Sequence, residues 1–136
     1  MMVGGAYAAL ALRMRGAYGW RMTQHQAVAD YRTPRALELI PSHMCSGIVM
    51  WIEHGIVTGD FLFAILSNDF MRAAQFADRE NRDALANWAT YLYSFAPAAC
   101  FGSVERVNEW RAKGGLIGIA SAVARSEAGT DKGSCA

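Results

Sequence analysis

The chain has 136 residues, of which 53% are hydrophobic and 18% charged, and this composition is typical of one globular domain with an apolar core. Thirteen Lys and Arg residues against twelve Asp and Glu residues give a formal net charge of +1. This balance argues against a general nucleic-acid binder, which carries a basic excess, and against a DNA mimic, which is markedly acidic.

The cysteines and the first residues of the chain predict its compartment. Cys45, Cys100 and Cys135 are odd in number and widely spaced, which is typical of free thiols in a cytosolic protein rather than of a disulfide framework. The apolar run from Ala6 to Leu12 is too short to span a bilayer, and its positive charges follow the run, whereas those of a signal peptide precede it. We therefore expect a cytoplasmic protein with no export signal and no membrane partner.

The spacing of apolar residues divides the chain into three predicted parts. An N-terminal arm with short helices covers 1–40, a helical core covers 41–125, and a flexible tail covers 126–136. Within the core, apolar residues recur at helical steps of three and four, and no strand alternation with hairpin turns is seen. The sequence therefore predicts an all-α fold, a single compact bundle of about five to seven short helices.

Capping residues predict where the first core helices begin and end. Pro41 favours a helix entry, and Gly55 favours a left-handed end for the same helix. Thr58 or Asp60 is expected to cap the next helix. The segment that follows forms either one bent helix or two, because Asp69 can cap a second helix.

The clearest helix is predicted over 79–95, with Asp78 as its N-cap and Pro97 as its stop. Its apolar stripe repeats at steps of three and four, at Leu85, Trp88, Leu92 and Phe95. Ser103 is expected to cap a further helix that a Gly pair ends. A last, alanine-rich helix is predicted over 116–124.

Histidine and cysteine side chains raise two hypotheses of chemistry. His43, Cys45, His54 and Cys100 are candidate zinc ligands, but structural zinc sites usually hold ligands in close pairs, and His43 and Cys45 point to different faces of a helix. Cys100 and a histidine would supply a nucleophile and a base, but the sequence specifies no positioned base. We therefore predict no catalytic residue, no metal site and no cofactor, and lean away from an enzyme.

The helix from Ser103 to Lys113 is the best candidate for a DNA-recognition helix. Arg106 and Arg111 lie along its polar side and would contact phosphates. Glu105 and Glu109 are interleaved with them and would repel phosphates, so a solvated helix face is the favoured interpretation.

Aromatic residues give a second kind of candidate binding surface. Tyr91 is offset from the stripe of Trp88, because a helix turns by about 100° per residue, so we expect it to line a groove or a subunit contact. Tyr93 and Trp110 are the other aromatic candidates, since tyrosine and tryptophan favour interfaces. The alternative that the helix is surrounded on most sides stays open.

Four arginines give a third candidate surface, a site for a small anionic nucleotide. They lie near the expected helix starts at Asp60, Asp78 and Ser103, where backbone N–H groups favour anions. The four residues are Arg72, Arg79, Arg82 and Arg106. Helices of neighbouring subunits would enclose the ligand, and the apolar composition favours such a homo-oligomer.

Residues 51–116, about half of the chain, resemble a family of short phage and prophage proteins to which no activity is assigned. The resemblance is carried by "IEHGI" at 52–56, "GDFL" at 59–62, "ND" at 68–69, Ala77-Asp78 with Asn81, Leu92-Tyr93, Ala96-Pro97, Cys100 and Gly102-Ser103. One departure is Phe101, where the family has tryptophan.

The resemblance implies a non-enzymatic accessory protein of a phage-like element, in the cytoplasm of a bacterial host. Such a protein would bind a host protein or complex and inhibit a defence or nucleic-acid-processing system. Two alternatives stay open: a homo-oligomeric sponge for a small nucleotide signal, and a small DNA-binding transcriptional regulator, with DNA the less favoured partner.

Overall fold

The structure, a computed structural model, describes residues 30–135 and the side chains of residues 30–128. Within this range all regular structure is helical, which confirms the all-α prediction. The eight α-helices are α1 Pro34–Leu37, α2 Cys45–His54, α3 Asp60–Leu66, α4 Phe70–Phe76, α5 Arg79–Asp83, α6 Leu85–Ser94, α7 Val104–Lys113 and α8 Gly115–Cys135. Two 3-10 turns, Ser42–Met44 and Ala98–Cys100, precede α2 and α7.

Side-chain caps begin four of these helices, and the sequence predicts three of the four. Asp69, Asp78 and Ser103 each accept a hydrogen bond from the backbone N–H three residues on, at 3.1, 2.8 and 3.1 Å. Each bond satisfies one of the N–H groups that a helix start leaves without an intrahelical partner. The sequence left open whether the segment after Asp60 forms one bent helix or two. The structure has two separate helices, α3 and α4, and Asp69 caps the second.

Glycines form the end of α2 and the start of α3. Gly55 ends α2 in the left-handed conformation, with a φ of +70°, as predicted. The start of α3 differs from the prediction, since its N-cap is Gly59 and neither Thr58 nor Asp60 caps it. Gly59 has a φ of +96°, which glycine adopts without steric cost, and this turn places Asp60 inside the first turn of α3.

The helix predicted over 79–95 is broken at Ala84 into α5 and α6. The backbone N–H of Ala84 donates to the carbonyl oxygens of Glu80 and Asn81 at 3.1 and 3.2 Å, so the last turn of α5 is tightened. This break buries the Asn81 side chain instead of leaving it on a helix surface. The break divides one predicted helix into two. The structure describes eight α-helices, and the prediction was about five to seven.

The last helix is longer than predicted. It begins at Gly115, after the Gly114 turn, but runs to Cys135 instead of ending at residue 124. Residues 126–135, predicted as a flexible tail, are therefore helical in the structure, although Gly129 and Gly133 are poor helix formers. None of the helices that the structure describes, α8 included, combines the length and apolar character needed to cross a bilayer.

Three tryptophans form the centre of the core, and each indole N–H donates a hydrogen bond. Trp51 donates to the Cys100 carbonyl oxygen at 3.0 Å, and Trp88 donates to Asn81 Oδ1 at 3.0 Å. Trp110 donates to the Trp51 carbonyl oxygen at 3.1 Å. All three rings are at most 2% exposed, and satisfying the N–H groups allows this burial without an orphaned donor.

The core includes residues that precede the boundary predicted at residue 40. Tyr31, Ala36 and Ile40 are buried in it. The Glu53 carboxylate in α2 accepts hydrogen bonds from the Tyr31 hydroxyl at 2.7 Å and from Arg32 Nη1 at 2.8 Å. The segment from residue 30 to residue 40 is thus packed on the helical core, and the rest of the predicted arm, 1–29, lies outside the described residues.

Candidate binding cleft

An apolar cleft of about 1310 Å³ lies beside α4, α6 and the start of α7. Its apolar lining residues are Ile65, Phe70, Ala73, Leu85, Ala86, Ala89, Leu92, Tyr93, Ala96, Ala98 and Phe101. Pockets for small molecules typically occupy roughly 300–1,000 Å³. The cleft is larger than this range, so its size suits a segment of polypeptide.

The helix α6 is apolar on two opposite sides. Trp88 and Tyr91 point into the core and are fully buried. Ala86, Ala89 and Tyr93, at steps of three and four, lie on another side, are exposed, and line the cleft. A helix with apolar residues on both sides is usually covered on both, so the cleft side of α6 is a candidate contact surface.

Two aromatic side chains stand exposed among the cleft residues. Tyr93 is 80% exposed, and its ring packs edge-on against Phe101 with the centroids 5.6 Å apart. Phe70, the first residue of α4, is 66% exposed, and its neighbour Met71 is 76% exposed. Large rigid rings of this kind bury much area on contact and often anchor protein interfaces.

Charged groups of both signs line the cleft. Asp30 and Asp69 contribute carboxylates, and Arg106 contributes a guanidinium group. The Arg106 Nη1 atom lies 3.4 Å from the carbonyl oxygens of Ala98 and Phe101, so the side chain is held against the turn that precedes α7. The lining is therefore mainly apolar, with charged groups of both signs, and Arg72 lies 3.8 Å from the Asp69 carboxylate beside it.

Two of the aromatic residues predicted to bind a partner are buried instead. Tyr91 is fully buried, and its hydroxyl donates to the Tyr31 carbonyl oxygen at 2.8 Å. Burial raises the pKa of the Tyr91 phenol far above its ordinary value. Trp110 is 2% exposed, and its indole N–H donates to the Trp51 carbonyl oxygen. Neither side chain is therefore exposed on the chain, and of the three aromatic candidates Tyr93 is the one that lines the cleft.

The four arginines predicted to hold a nucleotide are not gathered in the cleft. Among them, Arg106 is the one that lines it. Arg72 is exposed and lies 3.8 Å from Asp69, and Arg82 donates to the Ala77 carbonyl oxygen at 3.4 Å. Arg79 is exposed near the start of α5.

The candidate zinc and nucleophile residues lie apart. Cys100 is fully buried, and burial raises the pKa of its thiol far above the ordinary value, which disfavours a thiolate nucleophile. His43 is exposed and contacts Asp78 at 2.8 Å and Glu80 at 3.5 Å. Among the described residues no three His, Cys, Asp or Glu side chains are grouped as metal ligands, and Cys45 and Cys100 are free thiols.

The sequence interpretation missed most of the cleft. Phe70, Ala86, Ala89 and Phe101 all line it and were not among the predicted binding residues. A signal was present, because Ala86, Ala89 and Tyr93 recur at helical steps on a helix whose other side already carries large apolar residues.

Comparisons with known proteins give no indication of function. No protein-family model matches the chain, and neither a curated protein nor a solved structure matches it significantly. The chemistry of the described surface, with the cleft as its main apolar feature, is therefore the evidence that bears on function.

Proposed function

We propose that this chain is a non-enzymatic accessory protein of a phage-like element, which binds an apolar segment of a host protein and inhibits a defence or nucleic-acid-processing system. It would act in the cytoplasm of the bacterial host, as a homo-oligomer. The observation that carries the proposal is the exposed apolar side of α6, with Tyr93 and Phe70 exposed beside it. The resemblance of residues 51–116 to phage and prophage proteins supplies the biological setting.

The chemistry of the cleft favours an amphipathic helix of the partner as the bound element. Ala86 and Ala89 have small side chains, so a partner backbone can approach α6 closely. Phe70 and Tyr93 can then close over apolar side chains of the partner and bury large areas. Binding of this kind uses apolar anchors at helical spacing on the partner, laid into a hydrophobic groove.

The two alternative functions have less support from the described residues. A nucleotide sponge would need several cations facing one ligand, and Arg106 is the one predicted arginine that lines the cleft. A DNA-reading α7 would have Glu105 and Glu109 exposed on the same helix as its basic residues. Both acids would be repelled by phosphates, and the chain has no basic excess to offset this repulsion.

A charge placed in the cleft tests the proposal. In Ala89→Glu the new carboxylate lies in the apolar lining, where a bound apolar segment would have to desolvate it. The matched control is Thr90→Glu, which adds the same charge to the next residue of α6, an exposed residue that does not line the cleft. Both variants are expected to unfold within about 0.5 kcal/mol of the wild type, since both sites are exposed.

Native mass spectrometry of the chain isolated from host cells gives the measurement, because it reports the assembly mass and any bound protein together. We expect the wild type and Thr90→Glu to retain the same host protein, and Ala89→Glu to retain at least tenfold less, which corresponds to about 1.4 kcal/mol. Equal retention by both variants would show that the partner binds elsewhere, and retention of a small anion alone would favour the sponge.

A further inference from the structure

We infer that His43 forms a pH-sensitive contact, which holds α5 to the start of α2 while the imidazole ring is protonated and releases α5 when the ring loses its proton. The three residues of this contact, His43, Asp78 and Glu80, do not line the cleft. The inference goes beyond the proposed function and does not depend on any partner.

Both nitrogen atoms of the His43 ring face carboxylate oxygens. Nε2 lies 2.8 Å from Oδ2 of Asp78, and Nδ1 lies 3.5 Å from Oε2 of Glu80. A protonated imidazole carries a hydrogen on each nitrogen, whereas a neutral one carries a single hydrogen and presents a lone pair on the other nitrogen. A neutral ring would turn this lone pair towards one of the two carboxylates, so the protonated ring is the form that suits both.

The other charged and titratable groups near the contact add no pH dependence of their own. Arg79 and Arg82 of α5 are exposed, and arginine keeps its charge throughout the range in which histidine titrates. On the side of His43, the Cys45 thiol lies 3.7 Å from the carbonyl oxygen of Pro41. Burial raises the pKa of this thiol, so it stays uncharged.

Asp78 joins the contact to the start of α5. Its Oδ1 accepts the capping hydrogen bond from the Asn81 backbone N–H at 2.8 Å, while its Oδ2 faces His43. The Asn81 hydrogen bond, and after it the bond with His43, lowers the pKa of the Asp78 carboxyl. Asp78 is therefore ionised over the whole range, about pH 5 to 8, in which histidine changes its charge. The contact is complete on the acidic side of this range and is lost as the pH rises through it.

The helix α5 depends on such contacts, because it has five residues and an isolated helix of this length is not stable in water. Asn81 is its buried residue, bonded to Trp88 at 3.0 Å, and the other four are exposed. Loss of the His43 contact therefore favours local opening of α5. Leu85 and Ala86 follow α5 closely in the chain and line the cleft, so this opening occurs beside the cleft.

Amide hydrogen exchange followed by NMR tests the inference on the purified chain, in the wild type and in His43→Gln. Glutamine keeps a hydrogen-bonding side chain but does not titrate, and comparison at one pH cancels the intrinsic pH dependence of exchange. The amides to follow are those of Asn81, Arg82 and Ala84, whose hydrogen bonds close α5. The matched control is His54→Gln, at an exposed histidine that ends α2.

At about pH 5.5 we expect these amides to exchange about threefold faster in His43→Gln than in the wild type, as for loss of an exposed ion pair. At about pH 8 we expect equal rates, because the wild-type ring is then neutral. His54→Gln should match the wild type at both pH values. Equal rates in His43→Gln and the wild type at both pH values, or the same excess at both, would overturn the inference.

A second background tests whether the carboxylates are the partners of His43. Asp78→Ser combined with Glu80→Gln removes both negative charges and keeps a side-chain oxygen that can cap α5, since serine caps helices about as well as aspartate. In this background we expect His43→Gln to leave amide exchange unchanged at about pH 5.5. A threefold effect that remained there would overturn the inference. The proposed function is unaffected by these outcomes, because its own test follows a host protein.

Discussion

Trp88→Ala is expected to lower the free energy of unfolding by about 3–5 kcal/mol, as truncation of a buried aromatic residue does. The ring of Trp88 is fully buried and packs edge-on against Phe61 and Tyr91, with centroids 5.7 and 6.3 Å away. Its indole N–H donates to Asn81 Oδ1 at 3.0 Å. Alanine would leave a cavity between α3 and α6 and would remove the partner of a buried amide.

Denaturant unfolding followed by far-ultraviolet circular dichroism measures this loss. Asn87→Ala is the control, since Asn87 is the preceding residue of α6 and is exposed, and a change within about 0.5 kcal/mol is expected there. An unchanged unfolding midpoint for Trp88→Ala would mean that the ring is exposed in solution. That result would contradict the core described above and would move Trp88 to the binding surface.

Gly115→Ala is expected to destabilise the chain by about 2–5 kcal/mol, for two reasons that add together. Gly115 has a φ of +69°, which costs an L-residue roughly 1–2 kcal/mol. A Cβ atom at this position would also lie 2.5 Å from the carbonyl carbon and 2.6 Å from the carbonyl oxygen of Glu53. Because these are backbone atoms of α2, relief requires α2 and α8 to move apart.

Gly114→Ala separates the two contributions. Gly114 has a φ of +78°, but a Cβ atom there would meet only Gly118 Cα at 3.4 Å, an ordinary contact. We therefore expect Gly114→Ala to lose only the conformational part, roughly 1–2 kcal/mol. Equal losses in the two variants, measured by the same denaturant unfolding, would show that α2 and α8 do not approach closely at Gly115.

The sequence predicts three helix starts that depend only on residues close together along the chain. Asp69, Asp78 and Ser103 are predictable caps because each side chain needs only the backbone N–H three residues away, and all three form that bond. The break at Ala84 was not predicted, because it accompanies burial of Asn81 against Trp88. Tertiary contacts of this kind override the local pattern.

The burial of the Tyr91 side chain shows why the candidate site is harder to predict than the helix starts. Periodicity places Tyr91 beside the Trp88 stripe, but only the fold places Tyr31, 60 residues earlier in the chain, over its hydroxyl. The cleft depends on the same kind of information, because Phe70 and Phe101 come from separate elements. The helical spacing of Ala86 and Ala89 could have identified a second apolar face of α6. It could not have shown that Phe70 and Phe101 line the same cleft.

The core and the cleft are joined through α6. Trp88 and Tyr91 fix one side of this helix by packing and by hydrogen bonds to Asn81 and Tyr31. This anchoring holds Ala89 and Tyr93 in place on the other side without any contact to a partner. A preformed surface lowers the entropic cost of binding, as the proposed stoichiometric binding of a partner would require.

Photo-crosslinking inside host cells tests the central claim most directly, because it reports which protein touches the cleft where the chain works. The variants are Tyr93→p-benzoylphenylalanine, in the cleft, and Phe76→p-benzoylphenylalanine, outside it. We expect one host protein to be linked to residue 93, and the link to disappear when Ala89→Glu is added but to persist with Thr90→Glu. A host protein linked equally to residues 76 and 93, or a link from residue 93 that Ala89→Glu leaves intact, would contradict the assignment of this cleft as the binding site.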